Sequence, residues 1–353
     1  MPVAVSQISL DVIAPLTLEQ LINNNQKPSV FPLACHINEK QITITNSCLL
    51  APEQYSISSS DFKTSQSSLE LVVFSTLKVE VFTQIITKCQ LSIFAINAIN
   101  LRNNLTSYRF KVECQDLASA RAALINITTR ENIEAAIIDN APRLSTPGIL
   151  VMDMDSTTID IECIDEIAAL AGVGEQVSAV TELAMQGKLD FAQSLHQRVA
   201  TLKGAPESIL AQVANDIPLM AGLEILNQEL KAHGWYIAIA SGGFTYFADH
   251  LKDLLSLDAA HANLLEIKDG TLTGKVLGDV VDAQAKADCL LSLAKQYQIP
   301  FQQTVAIGDG ANDLVMMEAA HLGIAFRAKE IVLKQADSSI NKAGLDCLLH
   351  WFA

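Results

Sequence analysis

Residues 149–157 read Ile149-Leu150-Val151-Met152-Asp153-Met154-Asp155-Ser156-Thr157: an unbroken apolar run that passes straight into two carboxylates and two hydroxyls. An apolar segment this short, preceded by Pro147-Gly148, predicts a strand buried on both faces, as in a parallel sheet covered by helices. The polar residues then sit at the C-terminal edge of the strand, where open α/β sheets bind ligands. The pattern recurs downstream. Apolar Ile237-Ala238-Ile239-Ala240 leads into Ser241-Gly242-Gly243, where a hydroxyl is followed by glycines that let backbone approach an anion. Val305-Ala306-Ile307 leads into Gly308-Asp309-Gly310-Ala311-Asn312-Asp313, the most specific of these blocks. Strands are predicted at Ile149–Met152, Trp235–Ala240, Thr304–Ile307 and Leu322–Phe326, with a mostly helical insertion at about 160–215.

If these strands are neighbours, Asp153, Asp155, Asp309 and Asp313 crowd one crevice. Clustered carboxylates repel, and burying them without a partner costs several kcal/mol each. A divalent cation relieves this, and an all-oxygen donor set favours Mg²⁺. Ser241, the backbone N–H groups after it and Lys286 offer donors for phosphate oxygens, so the constellation predicts phosphoryl transfer. Taken singly the signals are weak: Lys286 alone would be a solvated charge, and Ser241-Gly242-Gly243 alone an ordinary strand-to-helix turn. The seven histidines lack metal-ligand spacing, and no GxSxG elbow, Walker loop or GxGxxG is present.

Asp153-x-Asp155-x-Thr157, Ser241-Gly242-Gly243, Lys286 and Gly308-Asp309-Gly310-x-Asn312-Asp313 resemble the four ordered motifs of the haloacid dehalogenase superfamily, across residues 148–353. Within it, the chain is most similar to the phosphoserine phosphatases. The resemblance implies an α/β fold, a Rossmann-like parallel sheet core with a helical cap insertion. It implies that Asp153 is the nucleophile forming an aspartyl-phosphate and Asp155 the general acid and base. Mg²⁺ would be held by Asp153, the Asp155 main chain and Asp309, supported by Asn312 and Asp313. It further implies a substrate, O-phospho-L-serine, bound by Glu162 at its amine and Arg198 at its carboxylate. Met185 and Phe191 would form an apolar lid, and Ser241, Gly242, Lys286 and Asn312 would meet the phosphate. An Arg fork matches a planar carboxylate better than Lys could. Two alternatives stay open: a phosphatase or phosphotransferase of the same superfamily for another small phosphomonoester, and an amino-acid-sensing protein with a vestigial phosphatase core.

Upstream, residues 1–65 are an N-terminal segment with a helix expected near Leu16–Asn24 and a strand near Gln41–Thr45. The Ser-rich stretch Ser56–Ser68 reads as a linker. Residues 66–140 give the order β-α-β-β-α-β of an α+β ferredoxin-like domain. In it Tyr108, Phe110, Val112 and Cys114 alternate with Arg109, Lys111 and Glu113, and Asp116 is placed to cap a helix. This module resembles ACT-type regulatory domains in size and order. Packing or formation of a homodimer is its expected role, with serine binding as the alternative.

Composition excludes other classes. The chain has 353 residues, is 50% hydrophobic and carries a net charge of −15, which repels nucleic-acid backbones. No run of 18 apolar residues suggests a membrane span, and the first basic side chain is Lys27, unlike a secretory leader. Seven cysteines without a CxxC pair read as reduced thiols, so a cytoplasmic location is expected.

Overall fold

The computed structural model describes residues 5–9, 14–22, 33–37, 41–45 and 65–353. It divides into two units: Met1–Ala141 together with Asp337–Ala353, and Pro142–Ala336.

The first unit is an antiparallel sheet of strands β1 (Val5–Ser9), β2 (Leu33–Ile37), β3 (Gln41–Thr45), β4 (Leu69–Phe74), β5 (Ser92–Arg102), β6 (Leu105–Glu113) and β7 (Ala135–Asp139), in the order β1-β3-β2-β5-β6-β4-β7. Helices α1 (Leu18–Leu21), α2 (Val79–Lys88) and α3 (Leu117–Glu131) belong to it, as does a short helix at Leu348–Trp351. β4 to β7 with α2 and α3 have the split βαβ order, and β2 extends their sheet by pairing Leu33 with Ile96. The helix expected at Leu16–Asn24 is shorter, and residues 23–24 and 56–64 lie outside the described set. Tyr108, Phe110 and Val112 enter the core with Leu71, Val73, Phe82 and Ile127. Asp116 accepts a hydrogen bond from Ala118 N at 3.1 Å, capping α3. β5 and β6 are longer than the sequence suggests because Asn103 and Asn104, at φ 45° and 60°, make a two-residue hairpin turn whose twist suits the flanking strands.

Two expectations are corrected here. The phosphatase domain was expected to run to residue 353, but residues 337–353 belong to the N-terminal unit. Strand alternation also puts Arg109 on a solvent face, yet it is 1% exposed. The C-terminal segment explains both. Arg109 pairs with Glu70 and donates to the carbonyls of His350, Trp351 and Phe352 at 3.0, 3.3 and 2.8 Å. Phe74 packs edge-on against His350 at 4.8 Å. Glu134 accepts from the backbone N–H groups of Asn341, Lys342 and Ala343. Residues of the tail thus cover the sheet face opposite α2 and α3.

The ring nitrogens of buried His350 meet Ser107 Oγ at 2.8 Å and the Arg102 carbonyl at 3.2 Å. Burial, then the charges of Arg102 and Arg109, push its pKa down from 6.5 to about 4. The unfolded chain therefore takes up this proton first, so stability is intact above pH 6.5 and falls between 6.5 and 4. The expected loss is on the order of 3 kcal/mol. Urea melts of wild type and His350→Gln across this range should diverge at high pH and converge toward pH 4; parallel curves would refute the assignment.

The second unit carries strands β8 (Ile149–Met152), β9 (Tyr236–Phe244), β10 (Ala259–Lys268), β11 (Thr271–Leu277), β12 (Thr304–Gly308) and β13 (Leu322–Phe326), ordered β11-β10-β9-β8-β12-β13. All neighbours are parallel except β10 and β11. Helices α4 (Cys163–Leu170), α5 (Gly174–Met185), α6 (Phe191–Thr201) and α7 (Ser208–Asn215) form the insertion after β8. The remaining α-helices are α8 (Leu223–Ala232), α9 (Thr245–Leu255), α10 (Ala283–Gln296), α11 (Leu314–Ala319) and α12 (Glu330–Leu333). β8 is central and wholly buried, flanked by β9 and β12, so three loops leave the sheet side by side. β9 continues through Ser241-Gly242-Gly243 to Phe244, where the sequence reads a turn.

Candidate active site

The three blocks converge because their strands are neighbours. Met152 pairs with Ile307 on one side and Ile239 on the other, and Asp153 N donates to Ile307 O at 2.9 Å. Above these strand ends lies a cavity of about 180 Å³. Asp153, Asp155, Ser241, Gly242, Asp309 and Asn312 line its floor and walls. From the insertion come Glu162, Phe191 and Arg198. Lys286 and Asp313 lie beneath the cavity, each fully buried. Met185 ends α5, and its side chain lies outside the described residues.

Lys286 Nζ donates to Asp153 Oδ1 at 2.6 Å and Asp313 Oδ1 at 2.7 Å. Burial alone would lower its pKa, but the two carboxylates outweigh that and hold it above its usual range. One ammonium thus serves two acids. Asp313 is further engaged by Gly310 N–H at 3.0 Å, so it braces the loop of the fourth block. Burial and the neighbouring Asp153 charge still keep Asp313 above the ordinary carboxylate range.

Asp155 Oδ1 accepts from Cys163 N at 3.0 Å, the first residue of α4. Desolvation, then the charges of Glu162 and Asp153, push its pKa up to about 7. A carboxyl tuned there can give and take a proton at neutral pH. Gly243 leaves room beside it: a Cβ at that position would come 2.6 Å from Met154 Cε and 2.7 Å from Asp155 Oδ2.

Asp153, Asp309 and Asp313 offer carboxylate oxygens within 4.8 Å of one another. Desolvation and the charges of Asp153 and Asp313 raise Asp309 to about 7. This uncompensated negative charge on hard oxygen donors fits a divalent cation. Because Asp313 is committed to Lys286 and Gly310, Asp153 and Asp309 are the better-placed ligands.

At the mouth, Ser156 Oγ donates to Glu162 Oε1 at 2.8 Å, with Ser156 itself in the left-handed region at φ 58°. Desolvation raises the Glu162 pKa and lowers that of Arg198, the latter countered by Asp165, Glu162 and Asp155. Arg198 Nε is buried and has no hydrogen-bond partner. Arg198 lines the cavity, and a partly desolvated guanidinium there suits an anionic ligand group. The sequence reading missed Ser156 and Thr158, whose hydroxyl donates to Asp153 O at 2.5 Å. Their roles are bonds to groups six and five residues away along the chain, which residue type alone does not signal.

Comparison with known proteins agrees with this geometry. Residues 148–321 match the haloacid dehalogenase-like hydrolase family. The phosphoserine phosphatase of Haemophilus influenzae is 60% identical over 225 residues, 64% of this chain and 72% of that protein. A crystal structure of a probable phosphoserine phosphatase from Vibrio cholerae, unliganded, superimposes with TM-score 0.68 at 45% identity, covering 84% of this chain and 90% of that one. A substrate-bound phosphoserine phosphatase structure gives TM-score 0.56 at 42% identity, over 59% of this chain and 99% of its own. With its acidic strand-end cavity and these relatives, the chain belongs to the haloacid dehalogenase-like hydrolases, in the phosphoserine phosphatase family.

Proposed function

We propose that the chain hydrolyses O-phospho-L-serine to L-serine and phosphate, using Mg²⁺. The observation that carries the reading is one cavity lined by Asp155, the lysine-bound carboxylate of Asp153, Glu162 and Arg198. The phosphate faces Asp153, Ser241 and Asn312, while Glu162 meets the ammonium and Arg198 the carboxylate of serine. Lys286 fixes Asp153 by one oxygen, leaving the other to attack phosphorus. The phosphorus–oxygen bond to serine breaks as Asp155 delivers its proton to the departing oxygen. Asp155, now ionised, takes a proton from water, and the resulting hydroxide displaces Asp153 from phosphorus. Asp153, Asp309 and the Asp155 main chain would hold Mg²⁺, which supplies neutralising charge for the phosphoryl oxygens. Phe191 and Met185 are assigned to the lid; a Cβ on Gly242 would come 2.5 Å from the Phe191 ring, so this glycine lets the lid sit close.

The reading includes a cytoplasmic location, supported by the free thiols of six described cysteines. Among the described residues no helix is long and apolar enough to cross a membrane. For the N-terminal unit we keep packing, with dimer formation, as its role. A cavity of about 510 Å³ beside Ser75, Thr76 and Leu77 supports the small-molecule alternative there.

The test compares wild type and Arg198→Ala on phosphoserine and on phosphoethanolamine, which lacks the carboxylate, with Mg²⁺ or with EDTA. Wild type should prefer phosphoserine and lose turnover in EDTA. Arg198→Ala should raise KM for phosphoserine roughly 100-fold while sparing phosphoethanolamine, the worth of a charge-assisted pair of hydrogen bonds. Equal losses on both esters would favour another small phosphomonoester.

A further inference from the structure

Asn263 lies on β10, outside the four motif blocks, and is 1% exposed. The strand register shifts between His261 and Asn263, so Asn263 comes opposite Phe244 rather than continuing the preceding pairing. Its side chain makes two hydrogen bonds. Nδ2 donates to Gly242 O at 2.8 Å, and Oδ1 accepts from Val281 N at 2.8 Å. The amide orientation is unambiguous, because a carbonyl can only accept and a backbone N–H can only donate.

Each bond acts on a different part of the phosphate-facing machinery. The Gly242 carbonyl belongs to the same peptide unit as Gly243 N–H, which donates to Ser241 Oγ at 2.9 Å. Asn263 therefore holds one end of that peptide plane and Ser241 the other. With its oxygen already accepting from Gly243, the Ser241 hydroxyl keeps its proton to donate into the cavity. On the second side, Val281 precedes Asp282, which caps α10 by accepting from Ala285 N at 2.9 Å. Lys286 N donates to Asp282 O at 3.1 Å, one turn into the helix. The start of α10 sets where Lys286 reaches Asp153 and Asp313.

We propose that Asn263 is a positioning residue for phosphoryl transfer: one buried amide locks the Gly242–Gly243 peptide to the start of α10, so that the Ser241 hydroxyl and the Lys286 ammonium are held in register. It acts through these groups and does not touch substrate. The proposal rests on the reading of this cavity as a phosphatase site, but not on phosphoserine being the substrate. A serine-specific failure and a failure of the present inference are distinguished by measuring p-nitrophenyl phosphate alongside phosphoserine.

The test is a double-mutant cycle with Ser241→Ala on the full chain, with melting temperature followed for every variant. Asn263→Ala should lower kcat on both esters by about 10- to 100-fold, the usual worth of a buried supporting contact, with KM for phosphoserine changed less than about threefold because Glu162 and Arg198 are untouched. In the Ser241→Ala background the same substitution should cost less, since only its hold on the start of α10, and so on Lys286, is left to lose. Asn263→Asp keeps the acceptor for Val281 N but loses the donor to Gly242 O. It should show most of the kcat loss, and it takes over the test if Asn263→Ala does not fold. Full additivity with Ser241→Ala, or kcat within twofold of wild type for Asn263→Asp, would overturn the proposal.

Discussion

Asp153→Asn is expected to abolish turnover, with kcat lower by roughly 10⁴-fold or more, as for loss of a nucleophile in other covalent enzymes. The replacement is nearly isosteric, and its side-chain oxygen can still accept from Lys286, so the buried pair of Lys286 and Asp313 keeps its geometry. The neutral amide removes the attacking lone pair and one of the two best-placed cation ligands together. Two measurements separate these effects. Turnover at saturating Mg²⁺ tests whether weakened cation binding is the whole loss. Acid quenching with radiolabelled phosphoserine tests for phosphoryl retained on the protein, expected for wild type and absent for the variant. A variant within tenfold of wild-type kcat would end the covalent scheme.

Replacing Lys286 by Met should damage both chemistry and folding. The lysine and Asp313 are 0% exposed and Asp153 6%, so the substitution leaves two adjacent buried carboxylates without their cation. Removing one partner of a buried ion pair costs about 3–5 kcal/mol. The pH dependence gives the claim its sharpest form. Burial already holds Asp313 above its ordinary value even with Lys286 present, and losing the ammonium raises it further. A carboxyl whose folded pKa exceeds its unfolded one favours the folded state once protonated, so the deficit should shrink as pH falls through that raised value. Melts in EDTA from pH 8 to 5 would show it. Lys286→Met with Asp313→Asn should regain much of the stability and none of the turnover. A deficit that is constant with pH would mean that lost packing of the lysine stem, rather than orphaned charge, is responsible.

Much of this site could be read from residue order because its chemistry grows from strand ends. Ile149–Met152 and Val305–Ile307 are too apolar and short to be anything but buried, and each releases its carboxylates at once. Adjacency of the strands then makes the acidic cluster unavoidable. Lys286 was legible only in company with the other blocks, since a lysine in a helix of mixed composition carries no pattern of its own. Asn263 and Thr158 were invisible, because their contribution is a hydrogen bond to distant or local backbone. β9 was cut short at Ala240 since two glycines favour a turn, whereas here they let the strand pass close to Asp155. Arg109 was misplaced for a different reason: alternation reports which face of a strand is polar, and says nothing of what later covers that face.

The stretch that covers it is made after the catalytic unit. During synthesis β4 to β7 leave the ribosome well before residues 345–352, and all of Pro142–Ala336 is translated in between. Until then Arg109 can pair with Glu70 but lacks the three carbonyls supplied by His350, Trp351 and Phe352. The nascent catalytic unit is thus able to mature first, while its N-terminal companion waits half-finished, with an aromatic and basic surface open to chaperones.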